Sequence, residues 1–148
     1  MNLARNLYDT DFYAWTREQM AFLQHKQFER LDIDNLAEEI DSMGKSEKRT
    51  LSSRLEILLI HLLKWKFQPN LQSRSWSLTI KEQRRRLTRH LSENPSLTSK
   101  LEEETAQAYD IAIYEAAKET GFNEDFFPVK CEWTVEQLLD FDFLPGSK

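Results

Sequence analysis

From Leu36 to Trp65 the apolar side chains recur at steps of three and four, through Ile40, Met43, Leu51, Leu55, Leu58 and Leu62. That is the period of one helix face, and a strand, whose side chains alternate every second residue, cannot hold it. Asp32 or Asp34 is placed to cap its start, and the pattern reaches Phe67. Uninterrupted over 35–67, such a helix would be about 50 Å long, beyond the width of a domain of this size. A kink or break is therefore expected near Gly44, since glycine costs up to about 1 kcal/mol inside a helix and the nearby Ser46 favours a new N-cap.

Similar patterns fill most of the remaining chain. A first helix is expected to start after Asp9 or Thr10 and run to about Phe28, with Phe12, Trp15, Phe22 and Leu23 on one face. Pro69 and Asn70 mark a turn, and a third helix follows with Trp76, Ile80, Leu87 and Leu91 inward and strongly basic outer faces. Asn94, Pro95 and Ser96 end it and cap a fourth, in which Leu97, Leu101, Ala108, Ala112 and Ala116 form a stripe that stops at Gly121. The aromatic segment from Phe122 to Trp133, interrupted by Pro128, reads as an ordered loop wrapping the helices. Thr134 with Gln137 makes a capping box for a short last helix from Val135 to about Phe141. The expected fold is all-α, a bundle of four main helices plus a short C-terminal helix, formed by residues 1–148 as a single domain.

Composition removes several classes of activity. Three glycines, Gly44, Gly121 and Gly146, cannot build a dinucleotide-binding turn, a phosphate-cradling loop or a nucleophile elbow. The lone Cys131 permits neither an internal disulfide nor a paired-cysteine metal or redox site, which fits a reducing compartment. Asp9 and Asp11 stand where a signal peptide needs an apolar run, and no stretch of about 18 uncharged apolar residues occurs. A cytoplasmic protein with no membrane association is expected. Charge is uneven: residues 1–97 carry 16 basic and 13 acidic groups, +3, whereas 98–148 carry 4 and 12, −8. Complementarity within the chain or between copies is the simplest use of that asymmetry.

Five patches then carry a resemblance. Asp9-Thr10-Asp11-Phe12-Tyr13-Ala14-Trp15, Leu36-Ala37-Glu38-Glu39-Ile40, His61-Leu62-Leu63-Lys64-Trp65, Arg74-Ser75-Trp76 with Ile80 and Arg84, and Pro95-Ser96-Leu97 resemble, in order and spacing, the family known as domain of unknown function 29. The resemblance spans nearly the whole chain. It implies a helical fold and carries over no catalytic residues.

Which residues could do chemistry has to be read from the patterns themselves. On a wheel of the second helix, Glu47, Arg54 and His61 fall on one line inside the apolar stripe, with Gln83, Arg84 and His90 bordering that of the third. Buried charge requires partners, so a polar seam is expected, and Glu39, Glu47, Arg54, His61, Arg74 and Arg84 form a candidate polar pocket. A satisfied core network that fixes register is the commoner use of such residues than an acid/base or metal site. Glu38, Glu39 and Asp41 have the ligand type for Mg²⁺. The third helix, however, offers Lys81, Arg84, Arg85 and Arg86 where a second carboxylate set would be needed. His25, His61 and His90 lack zinc-binding spacing. No metal and no cofactor is expected.

The strongest electrostatic feature is the basic run Arg74, Lys81, Arg84, Arg85, Arg86 and Arg89, a candidate anion or nucleic-acid surface. The acidic pI of 5.3 and the acidic C-terminal third argue against it. Trp15, Trp65, Trp76 and Trp133 read as packing residues. A non-enzymatic interaction or scaffold module, acting as a homo-oligomer or with a protein partner, is the expected function. The alternative is a nucleic-acid-associated binding module or enzyme that uses the basic third helix.

Overall fold

A computed structural model describes residues 3–146, and among them every regular element is helical. The order is α1 (Leu3–Thr10), α2 (Phe12–Gln24), α3 (Ile33–Phe67), α4 (Arg74–Glu93), α5 (Leu101–Thr120) and α6 (Val135–Leu139), with short 3₁₀ turns between them. The all-α architecture with four long helices and a short last one is the expected one. α1 was not foreseen, and α2 ends at Gln24 rather than near Phe28. The described residues fall into two compact units that divide between Glu47 and Lys48.

Contrary to expectation, α3 runs unbroken for 35 residues. Gly44 adopts no left-handed conformation. Its propensity cost of up to about 1 kcal/mol is spread over a cooperative helix in which propagation outweighs one poor former.

In the second unit the core is aliphatic. Leu51, Leu55, Leu58, Leu59, Leu62 and Leu63 of α3 meet Ile80 and Leu87 of α4 and the small-residue stripe Ala108, Ala112 and Ala116 of α5. Ser73 caps α4 by accepting from Trp76 N at 3.2 Å. α5 starts at Leu101, since Pro95–Lys100 is a 3₁₀ turn, and ends as expected at Gly121, whose φ of +80° is strain-free only without a side chain. The expected Thr134/Gln137 capping box starts α6.

The first unit is held by a polar knot. Asp11 caps α2 by accepting from Ala14 N. Trp15, 2% exposed, donates from Nε1 to Asp32 Oδ2 at 3.0 Å, and Asn35 Nδ2 donates to the same oxygen at 2.8 Å. Asp32 N donates to Gln19 Oε1 at 2.8 Å. Tyr8 stacks edge-on against Phe12 and Trp15 and gives its hydroxyl proton to Glu39 Oε1. That hydrogen bond, aided by burial and the Glu39 charge, pushes the Tyr8 pKa up to about 12. A raised folded pKa means that the contribution of this bond is complete below the unfolded value near 10 and is lost as pH climbs through about 12. Absorbance titration of tyrosinate should show two groups ionising late, Tyr8 and the buried Tyr109, and Tyr8→Phe should remove one of them. A late fraction that Tyr8→Phe leaves unchanged would contradict the bond.

Candidate functional site

The residues proposed from sequence divide between the two units, Glu39 and Glu47 in the first and Arg54, His61, Arg74 and Arg84 in the second. Arg84, 1% exposed, donates from Nε to Leu138 O at 2.8 Å and from Nη2 to Gln137 O at 3.2 Å. Burial pulls its pKa down, opposed by the Asp140 charge. Its guanidinium thus closes the carbonyl end of α6, where a cation is favoured by the helix dipole. That use takes Arg84 out of any outward-facing anion set. Lys81, Arg85, Arg86 and Arg89 do lie exposed on α4, but Arg86 pairs with Glu82 and Arg89 with Glu93, each at 3.0 Å. Arg74 is exposed at the first turn of α4.

The expected buried seam on α3 is not buried. Glu47 is exposed, and Arg54 and His61 are half-buried. Leu59 and Leu63 widen the buried stripe on its far side, leaving Arg54 and His61 about 100° from its centre. His61 donates from Nδ1 to Ile57 O at 2.9 Å, which fixes its tautomer inside its own helix. Glu39 and Glu47 belong to the first unit, where Glu39 receives the Tyr8 hydroxyl. Asp41 pairs with Lys45 at 2.9 Å and Glu38 is exposed. Among the described residues no group of three His, Cys, Asp or Glu could hold a metal ion.

Sequence reasoning missed a cleft of about 600 Å³ in the second unit. One face of α5, including Thr105, Ala106 and Tyr109, forms one wall, and the strap through Cys131 and Trp133 forms the other. The strap is tied down by the Tyr109 hydroxyl, which donates to Pro128 O at 2.7 Å. Burial raises the pKa of both the Tyr109 phenol and the Cys131 thiol. A thiol held protonated is a poor nucleophile, so Cys131 is not activated for attack, while the cleft has room for a small molecule. The aromatic run from Phe122 to Trp133 was the only signal for it, and it specified a strap without specifying a gap beneath.

The N-terminal part of α3 presents a different feature. Ile33, Ile40 and Met43 are 59%, 65% and 66% exposed, and Leu36 is half-buried. Ile40 and Met43 were expected to face inward. Instead they form an exposed apolar stripe at coiled-coil spacing.

These features describe a helical protein with an exposed apolar helix face. A family model for the domain of unknown function DUF29 matches residues 7–144, nearly the whole chain, and the protein belongs to that family. No curated protein and no solved structure matches it. Among the described residues no helix is long and apolar enough to cross a membrane.

Proposed function

We propose that the chain is a non-catalytic association module whose first unit docks on another protein surface. The observation that carries this reading is the exposed stripe of Ile33, Ile40 and Met43. A contiguous apolar face of this kind on a small unit is a site of interaction, because folding alone gains nothing from leaving it in water. The unit is also short of core. Among its described residues only Trp15, Gln19 and Asp32 are buried, so apolar contact supplied by a partner would add to a small core. The whole chain acts as one module in this reading, in the cytoplasm and without metal or cofactor.

Ile40→Lys with Met43→Lys should abolish association in sedimentation while leaving helix content unchanged, since both side chains already face solvent. A wild-type chain that is monomeric at every concentration and takes no partner from a lysate through the stripe would remove the proposal.

The exposed Lys81 and Arg85 of α4 support the second reading, binding of a polyanion. Titration with short DNA and RNA at two salt concentrations tests it. Affinity must fall as salt rises if phosphates are being contacted, and no binding at low salt would end that reading.

A further inference from the structure

Gly44 lies in the interior of α3, and a Cβ built on it meets nothing within 4 Å. No neighbour in the chain and no left-handed backbone requires glycine there, although alanine would favour the helix by up to about 1 kcal/mol. What a helical glycine on an open face does permit is the close approach of a second backbone. The apolar stripe runs along the same segment, with Ala37 one heptad before Gly44.

Charge along this segment is polar in the lengthwise sense. Asp34, Glu38, Glu39 and Asp41 make its first part acidic, and Lys45, Lys48 and Arg49, against the single acid Glu47, make the part beyond Gly44 net basic. We infer that this face pairs with the same face of a second copy of the chain, antiparallel, with Ile40 of each copy packed on Met43 of the other.

In that register Ala37 lies beside Gly44 of the second copy, so the flank of the seam is lined by small residues and the axes can approach. Leu36 covers the aliphatic stem of Glu47, and the acidic part of each helix runs along the basic part of the other within a Debye length. Parallel pairing would set acid on acid. Sliding the antiparallel pair so that Ile33 meets Met43 would add apolar layers, but it places the two Glu39 side chains next to each other and overlaps the two acidic blocks. A two-fold contact of one patch with itself closes at the dimer and needs no other surface.

The inference rests on the association reading and names its partner. The full chain should sediment as a dimer that weakens at high salt. Gly44→Leu is the sharp variant, because its side chain meets open space in the single chain. It should leave helix content and melting temperature unchanged or raised, yet weaken the dimer about 10-fold or more. In a Cys131→Ser background, Leu36→Cys mixed with Glu47→Cys should cross-link under oxidation, and neither alone should. A dimer that is lost in Ile40→Lys but cross-links through Leu36→Cys alone overturns the antiparallel inference and leaves the association reading standing. A dimer indifferent to both Gly44→Leu and Ile40→Lys overturns both. A monomeric wild type overturns the inference, and the stripe-dependent partner test above then decides the reading.

Discussion

Replacing Arg84 by alanine is expected to destabilise the second unit by about 3–5 kcal/mol. The side chain is 1% exposed and reaches across from α4 to the last carbonyls of α6, so its removal leaves Leu138 O and Gln137 O without their donors and opens a large cavity. Arg84→Met separates the two effects. It refills most of the volume and should recover part of the loss, leaving about 1–3 kcal/mol for the unpaired carbonyls. Arg84→Lys should fall between, since one ammonium cannot reproduce the two-pronged guanidinium. Denaturant unfolding followed by circular dichroism measures all three. A loss below about 1 kcal/mol in the alanine variant would show that the guanidinium does not hold α6.

The second large effect is expected at Trp15, in the first unit. Trp15→Ala removes the largest buried side chain there together with the Asp32 donor, a loss of about 3–5 kcal/mol. Trp15→Phe keeps most of the bulk and should cost about 1–2 kcal/mol for the indole N–H that Asp32 then lacks. In a unit with so few buried groups the alanine variant should open locally. Amides of α2 should therefore lose their exchange protection while those in the C-terminal half of α3 keep theirs. Unchanged protection in α2 would show that Trp15 does not hold it.

The fold was legible wherever helical period and end signals agreed. The Thr134 cap, the stop at Gly121 and the leucine ladder of α3 are local statements that the tertiary structure has no reason to overrule. Where the reading failed, a tertiary fact was decisive. Ile40 and Met43 have the period of a core face, but periodicity reports only that a face is apolar and not whether the chain itself covers it. Arg84 has the composition of a phosphate ligand, and only the arrival of residues 137 and 138 decides that it faces inward. Gly44 would break α3 only if a propensity of about 1 kcal/mol outweighed the cooperativity of the flanking turns, and the helix runs through it. The cleft beneath Trp133 belongs to neither element alone, so no single stretch of sequence encodes it.

The Arg84 clasp also sets an order in time. Its two acceptors are made 53 and 54 residues after it, so on the ribosome the guanidinium emerges long before anything can receive it. Until then α4 carries a hydrated charge on the face that will later pack inward, and burying that charge unpaired is costly. Completion of the second unit therefore waits for α6, because the charge on α4 finds its acceptors only when that distant segment docks.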